Sequence, residues 1–438
     1  MAAGGGIFTT ENKVLPGAYI NFISKARAIG NIGERGVLAM PWYGDFGKVG
    51  EIIEIDAESF QTDCVKILGH SYSENCMLPL REAFKGAKTV KLFRMGGGQK
   101  ASGTGGNLTV TALFEGERGN DIKVVISNDP DGSGFIVETY LDGYLRNSQN
   151  VGDAGELEDN DFVSFSGSGA LSQNAGIVLT GGTNGVSSGE DYSEFLNALE
   201  SEDFTTVIYP GSDDVTKGLF AQFTKRLRED EGYKVTCVLN GFDADFEGVI
   251  NLSSKCDSMY GFDEGSLIYW VGGMAAGAEV NESLTNKAYD GELRVLTNFK
   301  KSQLKEAVEN GKFIFYGDRD SVRVLKDINS FVSFSPEKNR DFSNNQIIRI
   351  LDAVANDTAR IFNEYYLGKC QNNALGRDIF KTELVSYHQK LMAIGAIEAF
   401  IPENITVSQG GEKGDVIVNE YIEPIGAMET LYMTCIVG

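Results

Sequence analysis

Acid–base, nucleophilic and metal chemistry have few candidate side chains here, because the chain carries only two histidines, His70 and His388. Imidazole is the side chain whose ordinary pKa lies near neutrality, so it is the usual proton carrier of such sites. His70 sits in a Gly69-His70-Ser71 turn and His388 stands between Tyr387 and Gln389 on a helical pattern. Both read as surface or hydrogen-bonded histidines. The six cysteines (Cys64, Cys76, Cys237, Cys256, Cys370 and Cys435) form no CxxC pair, so they read as reduced small hydrophobes and not as zinc ligands or a nucleophile. The stretch Asp243-Ala244-Asp245-Phe246-Glu247-Gly248 opens like a calcium loop, but its twelfth position is Ser254 where a bidentate Glu is needed. It reads as an acidic turn. Glycine-rich segments at Gly96-Gly97-Gly98, Thr180 to Gly185 and Gly272 to Gly277 lack the Lys-Ser/Thr pair of a phosphate loop and the strand–GxGxxG–helix order of a dinucleotide site. The reading is therefore no catalytic residue, no cofactor, no metal and no enzyme activity.

The elements that would position a site are set in an acidic chain. It has 62 acidic and 39 basic side chains, a formal charge of -23, 42% hydrophobic residues and a mean hydropathy of -0.16. Such a charge excludes nucleic acid and anionic membrane as main partners, since phosphate binding needs clustered Lys and Arg. No apolar run reaches the roughly 18–20 residues of a membrane helix. Met1 to Phe8 have neither a basic stretch nor an apolar one, so no secretory leader is expected. The charge is uneven. Residues 1–100 carry 12 basic and 10 acidic groups, residues 101–270 carry 9 and 29, and residues 271–438 carry 18 and 23. The middle is expected to face solvent, and the near-neutral ends to pack against something.

Periodicity divides the chain into an N-terminal arm (1–30), an α/β segment (31–100), a β-sandwich insertion (101–185), a second α/β region (186–330), a C-terminal domain (331–414) and a C-terminal arm (415–438). Tyr19, Ile20 and Phe22 lie in an alternating segment behind Pro16, the pattern of an edge strand. Short strands between turn-formers such as Asn128-Asp129-Pro130-Asp131-Gly132 predict the sandwich. Val37 to Met40, Thr89 to Arg94, Thr206 to Tyr209 and Lys234 to Leu239 predict a largely parallel sheet with intervening helices. Ser302 is read as a helix cap, and Ser343 with Gln346 as a capping box opening the helix that Gly368 ends. A second C-terminal helix is expected from Asp378 to Ile394, then strands from Asp415 to Tyr421 and Thr430 to Val437, with flexible loops at Gly30 to Arg35 and Asn404 to Gly414. The acidic run Glu156 to Asp161 reads as a loop, and Gln303, Lys305 and Glu306 as a solvated helix face.

Segments spread along the chain resemble the sheath proteins of contractile phage tails and related injection particles, of the short type found in Gram-positive phages and defective prophages. They are Leu15 to Phe22, Glu115 to Ile122, Leu179 to Gly185, Gly277 to Asp290, Lys326 to Phe331, Asp341 to Asp352 and Ala427 to Met433. The resemblance implies an α/β multidomain chain with a subtilisin-like middle domain lacking protease residues, an inserted β-sandwich, an α+β C-terminal domain facing an inner tube, and extended terminal β arms. It implies a helical homo-oligomer of stacked six-subunit rings that contracts, with tube, baseplate and tail terminator proteins as partners. The setting would be a virion or phage-like, bacteriocin-like particle assembled in the host cytoplasm, without membrane insertion of the subunit. Strand addition between subunits would use Tyr19, Ile20 and Phe22 at one end, and Val416, Val418, Leu431, Met433, Cys435 and Val437 at the other. Arg377, Lys381 and Lys390 are candidate tube contacts. The rival reading is a subtilisin-like serine peptidase, which would need Ser, His and Asp to converge, although no serine sits in a recognisable nucleophile turn.

Overall fold

The computed structural model describes residues 32–437 apart from Asp131, Ser133 and Asp320. The described residues form two compact units, one of residues 33–356 with 424–437 and one of Asp357–Glu423 with Ile32. The N-terminal arm residues Tyr19, Ile20 and Phe22 lie outside the described residues.

The larger unit begins with β1 (Val37–Trp42), β2 (Ile52–Asp56), α1 (Ala57–Thr62), α2 (Cys64–Leu68), α3 (Leu78–Ala83) and β3 (Thr89–Arg94). β4 (Ser102–Gly105), β5 (Leu108–Ala112), β6 (Ile122–Asn128), β7 (Phe135–Leu141), β8 (Tyr144–Val151), β9 (Val163–Gly167) and β10 (Asn174–Val178) follow. They make a four-stranded sheet, β10-β6-β7-β8, and a three-stranded one, β4-β5-β9. Alternate residues such as Leu108, Val110 and Ala112 on β5 and Ile122, Val124 and Ile126 on β6 fill the core these strands enclose. This is the period-2 burial of a sandwich.

The chain then returns to its first sheet through α4 (Gly189–Leu199), β11 (Thr206–Tyr209), α5 (Asp214–Glu229), β12 (Thr236–Asn240), β13 (Val249–Leu252), α6 (Ile268–Gly277), α7 (Lys301–Glu309) and β14 (Lys312–Phe313). One seven-stranded sheet results, in the order β14-β13-β12-β11-β1-β3-β2. All its pairings are parallel except β2 with β3. The two α/β stretches of the sequence thus share one sheet, and the sandwich is inserted between β3 and β11. Leu38, Met40, Val90, Ile208 and Val238 face one apolar layer with α3 and α6. Ala39, Phe93, Val207, Tyr209 and Leu239 face the other, with Phe195 of α4 and Phe220 of α5. Burial on both faces explains why these strands are nearly continuous apolar runs.

The glycine-rich segments are close backbone contacts. A Cβ on Gly185 would stand 1.2 Å from the Gly97 carbonyl oxygen, and one on Gly98 would stand 1.9 Å from that of Thr183, so the two chains joining sandwich and sheet run against each other. Arg94 spans the same junction, donating to the carbonyls of Gly44, Gly47 and Glu115 at 2.8–2.9 Å. In α6, a Cβ on Gly273 would meet the Ala83 carbonyl oxygen at 2.0 Å, where α3 crosses. Gly273→Ala is expected to force the two helices apart and cost about 1–3 kcal/mol. Urea unfolding followed by tryptophan fluorescence checks this, because Trp42 and Trp270 are both buried in this unit.

β15 (Phe315–Asp318) and β16 (Ser321–Val324) form a hairpin, followed by the first turns of α8 (Asn345–Ile361). The helix starts differ from the sequence reading. Asn344 Oδ1 accepts from the amides of Gln346 and Ile347, while the Ser343 hydroxyl turns back to the Arg340 carbonyl. Asn344 is thus the cap, and the expected Ser343/Gln346 box does not form. Ser302 likewise lies inside α7, whose start is closed by the Lys300 amide donating to Gln303 Oε1.

The smaller unit holds the end of α8, α9 (Ala374–Ala393), β17 (Ile405–Gln409) and β18 (Val416–Glu420). β17 and β18 pair antiparallel, with Val407 opposite Val418 and Gln409 opposite Val416. The stretch expected to be a flexible loop, Asn404 to Gly414, therefore contains a strand. Its turn is pinned as well, because Asn372 Nδ2 donates to the carbonyls of Lys413 and Asp415.

Candidate functional site

Neither histidine is arranged for catalysis. His70 Nε2 lies 2.7 Å from Asp45 Oδ1 and Nδ1 lies 2.9 Å from Glu74 Oε2, so both ring nitrogens are engaged by carboxylates. Burial alone would lower its pKa, but the hydrogen bonds with Asp45, Cys76 and Glu74 prevail and raise it to about 10. An imidazolium so held is no base for a serine. His388 is fully buried on α9, its Nδ1 on the Leu384 carbonyl at 2.8 Å and its ring stacked on Phe400. Its Nε2 is 3.3 Å from Glu420 Oε2, outside hydrogen-bond geometry. The carboxylates of the calcium-like stretch are occupied too. Asp243 accepts from Asn251, Asp245 from the amides of Val332 and Ser333, and Glu247 pairs with Lys338. In the acidic run, Asp159 and Asn160 cap backbone amides of β9 and the residues before it, and Asp161 pairs with Lys66.

A different arrangement emerges around α8. Asp327, with no exposed surface, accepts from Arg349 Nη2 at 2.5 Å, Asn345 Nδ2 at 2.9 Å and the Leu284 amide at 2.9 Å. Arg349 also donates to the Glu282 carbonyl, and Gln346 Nε2 to that of Asn281. One turn on, Arg228 binds Asp352 through two 2.7 Å hydrogen bonds, a buried bidentate pair. The C-terminal segment docks on this network. The Ala427 amide donates to Gln346 Oε1 at 2.9 Å, and Glu429 takes Lys326 Nζ at 2.8 Å and the Thr285 hydroxyl at 2.9 Å. Residues 430–437 have no regular structure, and Leu431, Tyr432, Met433, Ile436 and Val437 are all at least 74% exposed. The strand expected from Thr430 to Val437 finds no partner strand among the described residues.

Four of the segments quoted above, far apart in sequence, therefore meet in one place. Two others meet at the sandwich junction, where Asn120 exchanges two hydrogen bonds with the Gly182 backbone and Asn184 Oδ1 accepts from the Glu117 amide. Family models match the chain almost end to end. These are the tail sheath protein Gp18 domain III N-terminal region (residues 35–95), the phage tail sheath beta-sandwich domain (87–184), the central domain (185–330) and the C-terminal domain (337–438). The chain belongs to the phage tail sheath family. It is 35% identical to the phage-like element PBSX protein XkdK of Bacillus subtilis over 98% of each chain. A sheath tail protein of Desulfitobacterium hafniense superposes with a TM-score of 0.82 at 38% identity, covering 95% of this chain and 99% of that one. The anti-feeding prophage sheath in its contracted state shares the fold, with a TM-score of 0.59 at 12% identity over 97% and 99% of the two chains. The peptidase reading has no support.

Among the sequence-derived arm residues, Val416 and Val418 sit in β18 and pair with β17 of the same chain. Leu431, Met433, Cys435 and Val437 are on the exposed tail. Arg377, Lys381 and Lys390 are not one surface. Arg377 and Lys381 are a helical turn apart on α9, whereas nine residues put Lys390 on the opposite side. Arg377 moreover turns to the Asn372 side chain at 2.9 Å. Lys326 and Glu429 were not singled out and Gln346 was read only as half of a capping box, although all three lie in the segments that carry the resemblance. Glu429→Ala is expected to free the tail root and speed limited proteolysis around 424–437 on the order of five-fold, the loss of a roughly 1 kcal/mol partly exposed pair. Mass mapping of the fragments reads it.

Proposed function

We propose that this chain is the subunit of a contractile sheath, polymerised as stacked six-subunit rings around an inner tube, and that it performs no catalysis. The observation that carries the reading is the tail, anchored at Glu429 to its own body and leaving an apolar run that no other described residue covers. A segment apolar on both of its alternating faces suits insertion between strands of a neighbour. The β17–β18 hairpin is the natural acceptor, since among the described residues neither of its outer edges has a partner strand. Each such interface is heterologous and repeats head to tail.

On this reading the middle domain is a subtilisin-like α/β scaffold without protease residues, the C-terminal domain faces the tube, and the acidic sandwich faces outward. The tail tube, baseplate and terminator proteins would be its partners in a virion or phage-like particle built in the host cytoplasm. Fold likeness to a sheath solved in its contracted state supports shortening of the lattice as the working step. Electron microscopy of the purified full chain at high concentration is the test. Tubes or sleeves are expected, and a strictly monomeric globule would overturn the reading.

A further inference from the structure

One group of chemistry-bearing side chains plays no part in the tail anchor. A ring nitrogen of His70, a carboxylate oxygen of Glu74 and the sulfur of Cys76 all lie within 4.8 Å of one another. We propose that these three residues bind a zinc-class divalent cation, with a water in the fourth position. Nitrogen, oxygen and thiolate together are the donor set of a borderline-soft ion such as Zn2+.

The surrounding bonds hold the donors as a metal site requires. Asp45 Oδ1, 2.7 Å from Nε2, accepts the proton on that nitrogen and leaves Nδ1 to Glu74 Oε2 at 2.9 Å. A carboxylate behind a ligating histidine fixes tautomer and ring orientation. Glu74 commits Oε1 to the Ser71 amide at 2.6 Å, which aims Oε2 at the cluster. Arg81 Nη1 ties down the loop by donating to the carbonyls of Tyr72 and Glu74 at 2.9 and 2.6 Å. Gly69, at φ +77°, turns the chain out of α2 so that His70 points back toward Glu74. Cys76 is exposed, giving an ion a route in from solvent. On binding, one proton leaves Nδ1 and one leaves the Cys76 thiol. The sequence signal, His-x3-Glu-x-Cys, mixes three ligand types at spacings that a search for CxxC pairs passes over.

The test uses the full chain, stripped of metal and titrated with Co2+ and then Zn2+. One equivalent of Co2+ is expected to give a thiolate-to-cobalt charge-transfer band with intense tetrahedral d–d absorption, and Zn2+ to bleach both. Cys76→Ser, at an exposed position, should fold as the parent does and lose the charge-transfer band. Asp45→Asn should weaken Zn2+ binding about 10–100-fold. Zn2+ should also shield Cys76, and not Cys370 or Cys435, from alkylation mapped by mass spectrometry. Absence of the charge-transfer band, a Cys76→Ser chain that binds Zn2+ as tightly as the parent, or protection falling on another cysteine would overturn the proposal.

Discussion

A chain ending at Glu429 is expected to fold as the full chain does and to form no tubes. Of the nine residues removed, 430–437 contribute no regular structure to their own subunit, and Leu431, Tyr432, Met433, Ile436 and Val437 are largely exposed. The urea midpoint read by tryptophan fluorescence should therefore stay within about 0.5 kcal/mol of the parent, as for other changes at exposed positions. Assembly is another matter. Burying Leu431, Tyr432, Met433, Ile436 and Val437 in a neighbour is worth about 1.5–3 kcal/mol per side chain, on the order of 10 kcal/mol together. Ordering the same stretch costs about 1–2 kcal/mol per residue, a sum of similar size. The balance then rests on the main-chain ladder and on the root already being held at Glu429, which spares part of the ordering cost. Without the tail all of these gains vanish at every repeat of the lattice. Sedimentation and electron microscopy decide it, and tubes built from the truncated chain would refute the strand-exchange model.

Legibility in the sequence followed the range of the interactions. Strands buried on both faces, such as Thr206–Tyr209, announce themselves as apolar runs. β2 was passed over although Ile53 and Ile55 alternate with Glu54 and Asp56, a short period-2 signal with no turn-former to frame it. β4, Ser102–Gly105, has the composition of a linker, and its pairing with β5 is imposed by the fold around it. The cap of α8 fell one residue from its expected place because Ser343 and Asn344 are both good caps and only the turn over Arg340–Ser343 selects between them. Of the two arm segments, only the C-terminal one lies among the described residues, where Leu431, Met433 and Val437 are exposed. What no local pattern reveals is that Asp327, Arg349 and Glu429 meet, since their partners lie up to 144 residues away in the chain.

That meeting point should also carry the largest stability effect in the chain. Asp327→Ala is expected to destabilise the larger unit by about 3–5 kcal/mol, the cost of leaving a buried cation without its anion. Arg349 is only 4% exposed and Asp327 has no exposed surface, so water cannot replace the lost carboxylate. The Leu284 amide and Asn345 Nδ2 would lose their acceptor at the same time. Asp327→Asn keeps one oxygen for these donors and loses only the charge, so its effect should be smaller and of the same sign. Replacing Arg349 by Met in the Asp327→Ala background should recover much of the loss, because a buried pair exchanged for apolar volume is often neutral. The mutant also reaches the assembly function. Lys326 is the neighbour of Asp327 and Gln346 lies one turn before Arg349, and these two hold Glu429 and Ala427. Loosening the network should release the tail root, so the single mutants ought to form fewer tubes in the order of their stability loss, with the Met rescue restoring both. Tubes formed at parental levels by a strongly destabilised Asp327→Ala chain would separate the network from the arm.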